Sequence, residues 1–487
     1  MADNQTFLYK MDDSLSSEIP IPFHPNIHYP EYQFKDFGKE VNYIYDSVRN
    51  IFISCGYDKE NCGTRLWNPL KDFVKPGQHV LIKPNMVLHK SHKSDESYYS
   101  VVSHPALIRV MVDYVYIALR GKGKITIGDA PVNSADFDLL SKNMGLSQIK
   151  SLYETKEFMI DIVDFRLYTM EKDESGIISN IDIRDNFKDY VEVKIDKASA
   201  LESIVGDYKR FTITEYAGGT MQKKHHPQYH RYCFHKSILT ADVIISIPKI
   251  KTHRKAGFTC AMKNWVGLNG NKDWLPHHRT GAMCEGGDEY LYKSVRKKLI
   301  TKSWEIRWRT RNSFLQNVLL HWENFLYLSA KIKPFKDIYF EGSWWGNKTI
   351  SKTVNDLNIA VLYSDPLGFL CKRRQRKILY LVDGIICGEG EGPMMATSKR
   401  CNLLLFGESS YVVDRVIAQL IGFDASKIDT LATCEIMNEY PIHNVSEIII
   451  RSNLAVGVNY TISNLRELIS YNFVPTSGWK GHIELSE

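Results

Sequence analysis

No two of the nine cysteines, at 55, 62, 233, 260, 284, 371, 387, 401 and 434, stand in the C-x-x-C spacing of a zinc ribbon or cluster site, and their number is odd. A disulfide framework and an iron-sulfur cluster are therefore not expected, and a reduced, cytoplasmic setting is the simpler reading. The chain also lacks any run of the roughly 18 uninterrupted apolar residues that a spanning helix needs, and its polar start, MADNQTFLYKMDDSLSSEIPIPFH, has no export-signal pattern. Neither an exported nor an integral-membrane form is expected. There is no G-x-x-x-x-G-K-[ST] loop to cradle a nucleotide. Charge of one sign is scarce too: the net is +6 over 487 residues with histidines neutral, which makes a nucleic-acid binder unlikely on the average charge.

What is present is ordinary for a folded protein, 44% hydrophobic and 24% charged residues. A chain of 487 residues exceeds the size at which one core stops growing, about 250 to 300 residues, so two lobes are expected. Val41, Ile44, Val48 and Phe52 recur at helical spacing. Then a repeated grammar begins, in which a turn leads into a short apolar run that leaves through polar residues. Val80 to Ile82 exits at Lys83-Pro84-Asn85, Ile125 to Ile127 at Gly128-Asp129, and DVIISIPKIKTH (242–253) at a basic stretch. ILYLVDG (378–384) and NLLLFG (402–407) follow the same pattern. A helix entered at His104-Pro105 separates the first two runs, as in a right-handed parallel unit.

This reading predicts an α/β fold, two-lobed, with largely parallel or mixed sheets, flanking helices and a smaller antiparallel section at 159–215. Its expected parts are an extended arm at 1–37, a first lobe at 38–240, a second lobe at 241–430 with a basic helical insertion at about 290–330, and a C-terminal extension at 431–487. The exits after residues 82, 127, 248, 383 and 406 are expected along one sheet edge, where ligands of parallel sheets bind.

Convergence at that edge would assemble Lys83, Asn85, Asp129, Lys249, Lys251, His253 and Asp383. Alternation in Pro248-Lys249-Ile250-Lys251 turns both lysines to one side of a strand, where an anion or acidic groups must face them. Lys263 adds charge, Asn264 a hydrogen-bonding amide, and Gly257 and Gly267 allow close backbone approach. His253, His277 and His278 can move protons or donate hydrogen bonds to the same anion, with Arg279 beside them. The adjacency of His277 and His278 does not match a helical zinc pair. Gly384, Gly388, Gly390 and Gly392 make DGIICGEGEGP (383–393) a tight loop, in which Asp383, Glu389 and Glu391, with Asp414 further on, read either as oxygen ligands for magnesium or another divalent cation, or as ion-pair partners of lysines. Trp344 and Trp345 read as packing residues, or as a wall against a sugar. Residues 291–311 carry eight Lys or Arg against one Glu, with Leu291, Val295, Leu299 and Trp304 as an expected apolar side. That segment reads either as a solvated cover over the core or as a peripheral contact with an anionic membrane.

VLIKPNMV (80–87), GDAP (128–131), IPKIKTH (247–253), AMKNWVGLNG (261–270), VDGIICGEGEGP (382–393) and VDRVIAQLIGFD (413–424) occur in order, and together they resemble the family called domain of unknown function 362. GSWWGNKT (342–349) and NDLN (355–358) resemble its long members, without the ferredoxin-like cysteines that others carry. HRKAGF (253–258) is faintly similar to a segment of the lactate racemase superfamily, which implies a two-lobed enzyme acting on a small acid.

The functional expectation is an enzyme for a small anionic or polyhydroxylated metabolite, of isomerase, epimerase or lyase type. His253 with Asp383 or Glu389 would exchange protons, and the lysines and asparagines would hold the substrate. A magnesium-dependent group transferase and a noncatalytic binder of anionic polymer or membrane surface are the alternatives.

Overall fold

The computed structural model describes residues 4–14, 18–172, 178–183, 187–214, 216, 219–310, 312–329, 339–444 and 447–486. Its organising element is an 11-stranded mixed sheet. In chain order the strands are β1 (Gln5–Lys10), β2 (His79–Pro84), β3 (Lys124–Asp129), β4 (Ile160–Asp164), β5 (Val243–Ile247), β6 (Lys249–His253), β7 (Gly257–Thr259), β8 (Lys377–Glu391), β9 (Met395–Gly407), β10 (Ile449–Ser452) and β11 (Ala455–Tyr460). Across the sheet the order is β11-β10-β1-β9-β8-β5-β2-β3-β4, with β6 paired to β8 and to β7. The stretch β8-β5-β2-β3-β4 is parallel throughout. Small antiparallel ribbons lie within 168–235, whereas the section expected to be antiparallel at 159–215 opens with β4, which is parallel to β3 in the main sheet.

Strand alternation explains how the chain fills two cores with one sheet. Leu81, Ile244, Tyr380, Val382 and Leu405 face one core, together with α5 (Thr349–Tyr363) and α6 (Ser410–Leu420). Their neighbours Val80, Ile82, Ile245, Leu381 and Phe406 face the other, together with α1 (Tyr43–Ser54) and α2 (Pro105–Leu119). Successive side chains of a strand point to opposite faces, so a fully buried strand serves both layers. The boundary expected at 240/241 falls between strands that lie side by side, since β5 pairs with β2 and β8 in the same sheet.

Three expectations are corrected. The exit after residue 406 lies on the opposite edge from the other four, because β8 and β9 form an antiparallel hairpin in which Gly407 faces Tyr380. An apolar run carries no mark of its direction. The segment 382–392 is strand along most of its length and not a loop. Its glycines permit close packing: a Cβ on Gly392 would lie 2.1 Å from the Thr252 carbonyl oxygen. The region expected as an extended arm supplies β1, which sits inside the sheet between β10 and β9.

Lys249 and Asp383 meet across β6 and β8 in a dry ion pair of 2.6 Å. Asp383 also accepts from the backbone N–H of His104 at 2.6 Å and of Ile385 at 3.1 Å, while Lys249 Nζ donates to the Ile386 carbonyl at 2.8 Å. Every strong group of the pair is occupied, so it fastens the two strands to the start of α2. Asp383→Asn leaves an unneutralised buried ammonium and is expected to cost about 3–5 kcal/mol of stability. The double change Lys249→Met/Asp383→Leu should recover most of it. Urea unfolding of the three proteins checks both statements, and an Asp383→Asn protein as stable as the parent would show that the pair contributes little.

Candidate functional site

The C-terminal ends of β2 and β3 stop side by side at Lys83-Pro84 and Asp129, and β6 continues past β5 beyond Pro248. A 3-10 segment, Met262–Leu268, crosses in front of them. Asp414 on α6 holds the start of that segment, accepting from the backbone N–H of Ala261 at 2.7 Å and Met262 at 2.9 Å. Asn358 on α5 donates to the Met262 carbonyl at 3.0 Å. Neither side chain lines the cavity; both fix the segment that carries Lys263 and Asn264.

These elements enclose a cavity of about 150 Å³. Drug-sized ligands occupy pockets of about 300–1,000 Å³, so this one suits a small metabolite. Its wall includes Lys83, Lys251, Lys263 and Lys272, with Asp129 the one carboxylate among the described lining residues. Lys83 Nζ reaches Asp129 Oδ1 at 2.9 Å and Asn264 Oδ1 at 2.9 Å. Gly267 presses on this pair so closely that a Cβ there would lie 1.9 Å from Asp129 Oδ1. Lys251 Nζ donates to Asn85 Oδ1 at 3.1 Å and to the Val101 carbonyl at 2.6 Å. Lys272 Nζ donates to the Ala130 carbonyl at 2.8 Å. Lys263 Nζ has no partner among the described residues, and it stands half-buried in the wall.

Burial, reinforced by neighbouring ammonium groups, lowers the lysines. Lys263 falls to about 7, through burial first and then Lys255 and Lys83. Lys272 also falls to about 7, mainly through burial. Burial, followed by Lys263 and Lys249, takes Lys251 well below the ordinary lysine range. Asp129 is the one carboxylate among the described lining residues that stands against these lysines.

The two histidines on the wall are held in opposite tautomers. The Lys255 backbone N–H donates to His253 Nδ1 at 3.1 Å, so the neutral ring carries its proton on Nε2. His277 Nδ1 donates to the Leu275 carbonyl at 2.8 Å, leaving Nε2 a bare acceptor. Burial first, then the cationic neighbours, lowers both rings well below the usual imidazole range and keeps them neutral. One ring thus offers a proton and the other a lone pair.

Eight of the residues singled out in the sequence therefore share this cavity: Lys83, Asn85, Asp129, Lys251, His253, Lys263, Asn264 and His277. The others go elsewhere. Lys249 and Asp383 neutralise each other, so the expected division, with both lysines on the anion and Asp383 on chemistry or a cation, does not hold in this geometry. Glu389 pairs with Lys399 at 2.8 Å and accepts from the Val474 N–H, while Glu391 accepts from the Ser477 N–H. Their work is to hold the C-terminal segment, and Asp383, Glu389 and Glu391 do not converge as oxygen ligands. Among the described residues no three of His, Cys, Asp and Glu gather as a metal set. His278 turns away from His277 toward Lys255, with 3.5 Å between Nδ1 and Nζ, and Arg279 pairs with Asp288 and Asp207. Trp344 is buried, and Trp345 stacks on His482, so both pack rather than line the cavity. Lys272 is the residue the sequence reading missed; its signal was there, in the same NGNKDW stretch that follows Asn264.

A bound anion raises the lowered lysines toward their ordinary values, so binding takes up protons wherever those lysines are mostly neutral in the empty site. The uptake should be clear at pH 8, above the Lys263 value of about 7, and fade well below pH 7, where that lysine is already charged. Calorimetry with acetate in buffers of different ionisation enthalpy measures it, and Lys263→Met should lower the uptake. Equal uptake by the variant would remove Lys263 from the anion contact.

Comparisons with known proteins come last. No curated protein matches the chain. Among solved structures, a Thermotoga maritima protein from a structural genomics consortium is similar at 9% identity and a TM-score of 0.28, covering 73% of this chain and 54% of that one. The lactate racemase apoprotein from Thermoanaerobacterium thermosaccharolyticum is similar at 11% identity and a TM-score of 0.28, covering 72% of this chain and 51% of that one. The chain spans about half the length of each. The model of the family described as domain of unknown function, DUF362, matches residues 80–193 and 195–419, which hold every residue of the cavity wall, and the chain belongs to that family.

Proposed function

We propose that this protein is an enzyme of isomerase or epimerase type that moves a proton at the carbon next to the carboxylate of a small organic acid. The observation that carries the reading is the pair of neutral histidines, one with Nε2–H and one with bare Nε2, on the wall of a cavity with four lysines and one carboxylate. Lys263, which has no partner among the described residues, and Lys251, which has no carboxylate partner among them, are the groups left to meet the substrate's negative charge. Lys83 is already occupied by Asp129 and Asn264, and serves to hold the floor.

In this reading His277 Nε2 accepts the proton from the carbon as its C–H electron pair becomes a C=C bond. The second negative charge that develops then rests on the carboxylate oxygens, where fixed ammonium groups in a closed site stabilise it. His253 Nε2–H donates a hydrogen bond to the intermediate, the Lys263 ammonium, charged by the bound anion, returns a proton to the carbon, and the proton held on His277 then restores Lys263. Delivery to the opposite face of the same carbon inverts it, delivery to a neighbouring carbon moves a double bond, and loss of a neighbouring group would make the reaction an elimination. Pro393 and Met394, at the tip of the β8–β9 hairpin, and Tyr216 also line the cavity.

Wash-in of deuterium from D₂O, followed by NMR over a panel of 2-hydroxy, 2-amino and unsaturated carboxylic acids, tests the reading. His277→Gln should slow exchange about 100-fold or more while binding changes little. Lys263→Met should weaken binding by about 1–3 kcal/mol, the worth of a charge-assisted hydrogen bond. If no acid of the panel binds, or the His277→Gln protein exchanges at the parent rate, the proposed chemistry is wrong.

A further inference from the structure

The basic segment expected to bury Leu291, Val295, Leu299 and Trp304 folds differently. Helix α3 (Val295–Arg309) buries Lys297, Ile300, Ser303, Arg307 and Trp308, and leaves Val295 78% and Leu299 43% exposed. The reason is its partner, α4 (Ser313–Ser329), whose Glu323 pairs with Arg307 at 2.8 Å and accepts from Ser303 Oγ at 2.8 Å. The apolar stripe of α4, with Phe314, Val318, Trp322 and Phe325, therefore faces outward. Lys298 and Lys302 of α3 line a separate hollow together with Glu285, Glu289 and Glu305, so acids of the chain stand beside these cations. The lysine-walled cavity is built on a different balance, one of donors, acceptors and apolar surface.

The side-chain oxygens that Asp129, Asn85 and Asn264 bring to the cavity wall are already in use. Asp129 Oδ1 accepts from Lys83 Nζ at 2.9 Å and from the Ala130 N–H at 2.9 Å, and Oδ2 accepts from the Met86 N–H at 2.6 Å. Asn85 Oδ1 accepts from Lys251, and Asn264 Oδ1 from Lys83. His277 Nε2 remains an acceptor, and the proposed reaction uses it. The groups left for a ligand are mainly donors, the Lys251 and Lys263 ammoniums and His253 Nε2–H. Apolar side chains line the same cavity: Val87, Val132, Ile213, Val266, Leu275 and Met394. The two kinds of wall meet on one segment. Lys263 and Val266 stand three residues apart in the 3-10 turn Met262–Leu268, where side chains at that spacing eclipse, so the surface beside the Lys263 contact is apolar.

We infer that the ligand is a carboxylic acid whose remaining part is a short apolar chain, selected by Val266 and Leu275, a substrate class that rests on the anion contact of the proposed function. A polyhydroxylated acid brings several O–H donors to a wall whose carboxylate and amide oxygens are occupied, and each hydroxyl buried without an acceptor weakens binding. A 2-amino acid places an ammonium among four lysines. An apolar chain meets neither penalty and removes apolar wall from water. The cavity volume of about 150 Å³ keeps that chain short.

Calorimetry of the full chain at pH 6, below the Lys263 value of about 7, tests the inference with acetate, propionate, isobutyrate and isovalerate. Glycerate matches isovalerate in heavy atoms, and alanine matches isobutyrate. Affinity should rise about fourfold per added carbon from acetate to isovalerate, the effect of burying one methylene. Glycerate and alanine should each bind about tenfold more weakly than the apolar acid they match. Val266→Thr, close to the parent in shape, should cut the ratio of isovalerate to acetate affinity about threefold, with the melting temperature reporting that the fold is kept. If that protein does not fold, Met394→Gln at the hairpin tip should lower the same ratio. A flat series, or glycerate or alanine binding as tightly as its apolar match, overturns the inference and leaves the proton-transfer reading to the deuterium experiment. A rising series without deuterium exchange supports the inference and overturns that chemistry. If no acid binds, both fall.

Discussion

Buried ammonium groups without enough carboxylate set the character of this molecule. Four lysines reach one small cavity, and Asp129 is the one acid among its described lining residues. An isolated buried charge is costly, so such a set persists in two ways: partial neutralisation and dense hydrogen bonding. Lys83, Lys251 and Lys272 use backbone carbonyls and the amides of Asn85 and Asn264. Lys263 has neither among the described residues, and burial with the neighbouring Lys255 and Lys83 lowers it to about 7. The ordering of the walls is supplied by the fold.

That ordering has a definite source. The parallel strands β2 and β3 end together, and α5 and α6 hold the 262–268 segment across their ends through Asn358 and Asp414. Burial raises the Asp414 carboxyl to about 7, against the pull of the two N–H groups it accepts. A buried carboxylate of this kind is easily read from sequence as a catalytic acid; here its contacts are to backbone and to the neighbouring Cys260. Lys249–Asp383 is a second instance, a pair that looks reactive in sequence and is saturated in the fold.

The strand-to-polar-exit grammar was enough to place Lys83, Asn85, Asp129 and Lys251 near one another. Buried parallel strands must be apolar along their length, and whatever they carry at their carboxyl ends must therefore face a common edge. Lys263, Asn264 and His277 were legible because they stand close in sequence within one polar, glycine-bearing stretch. Lys272, within the same stretch, was passed over because a single lysine looks like any surface residue.

The sequence by itself determined the apolar runs that become β2, β3, β5 and parts of β8 and β9, the helix between β2 and β3 and the one after β9, and the family the chain belongs to, because periodicity, turn residues and ordered motifs are local properties. Only the tertiary structure decided direction and partnership. The hairpin at 392–394 sends β9 back along β8 and removes the exit at 406 from the site, and the distant approach of β6 to β8 consumes Lys249 and Asp383. The backbone carbonyl of Leu275 and the N–H of Lys255 choose the tautomers of His277 and His253. The polar face of α3 turns the apolar stripe of α4 outward. Each of these outcomes depends on which atom lies opposite, through a hydrogen bond or charge that acts over a few ångströms, and no pattern along the chain encodes that distance.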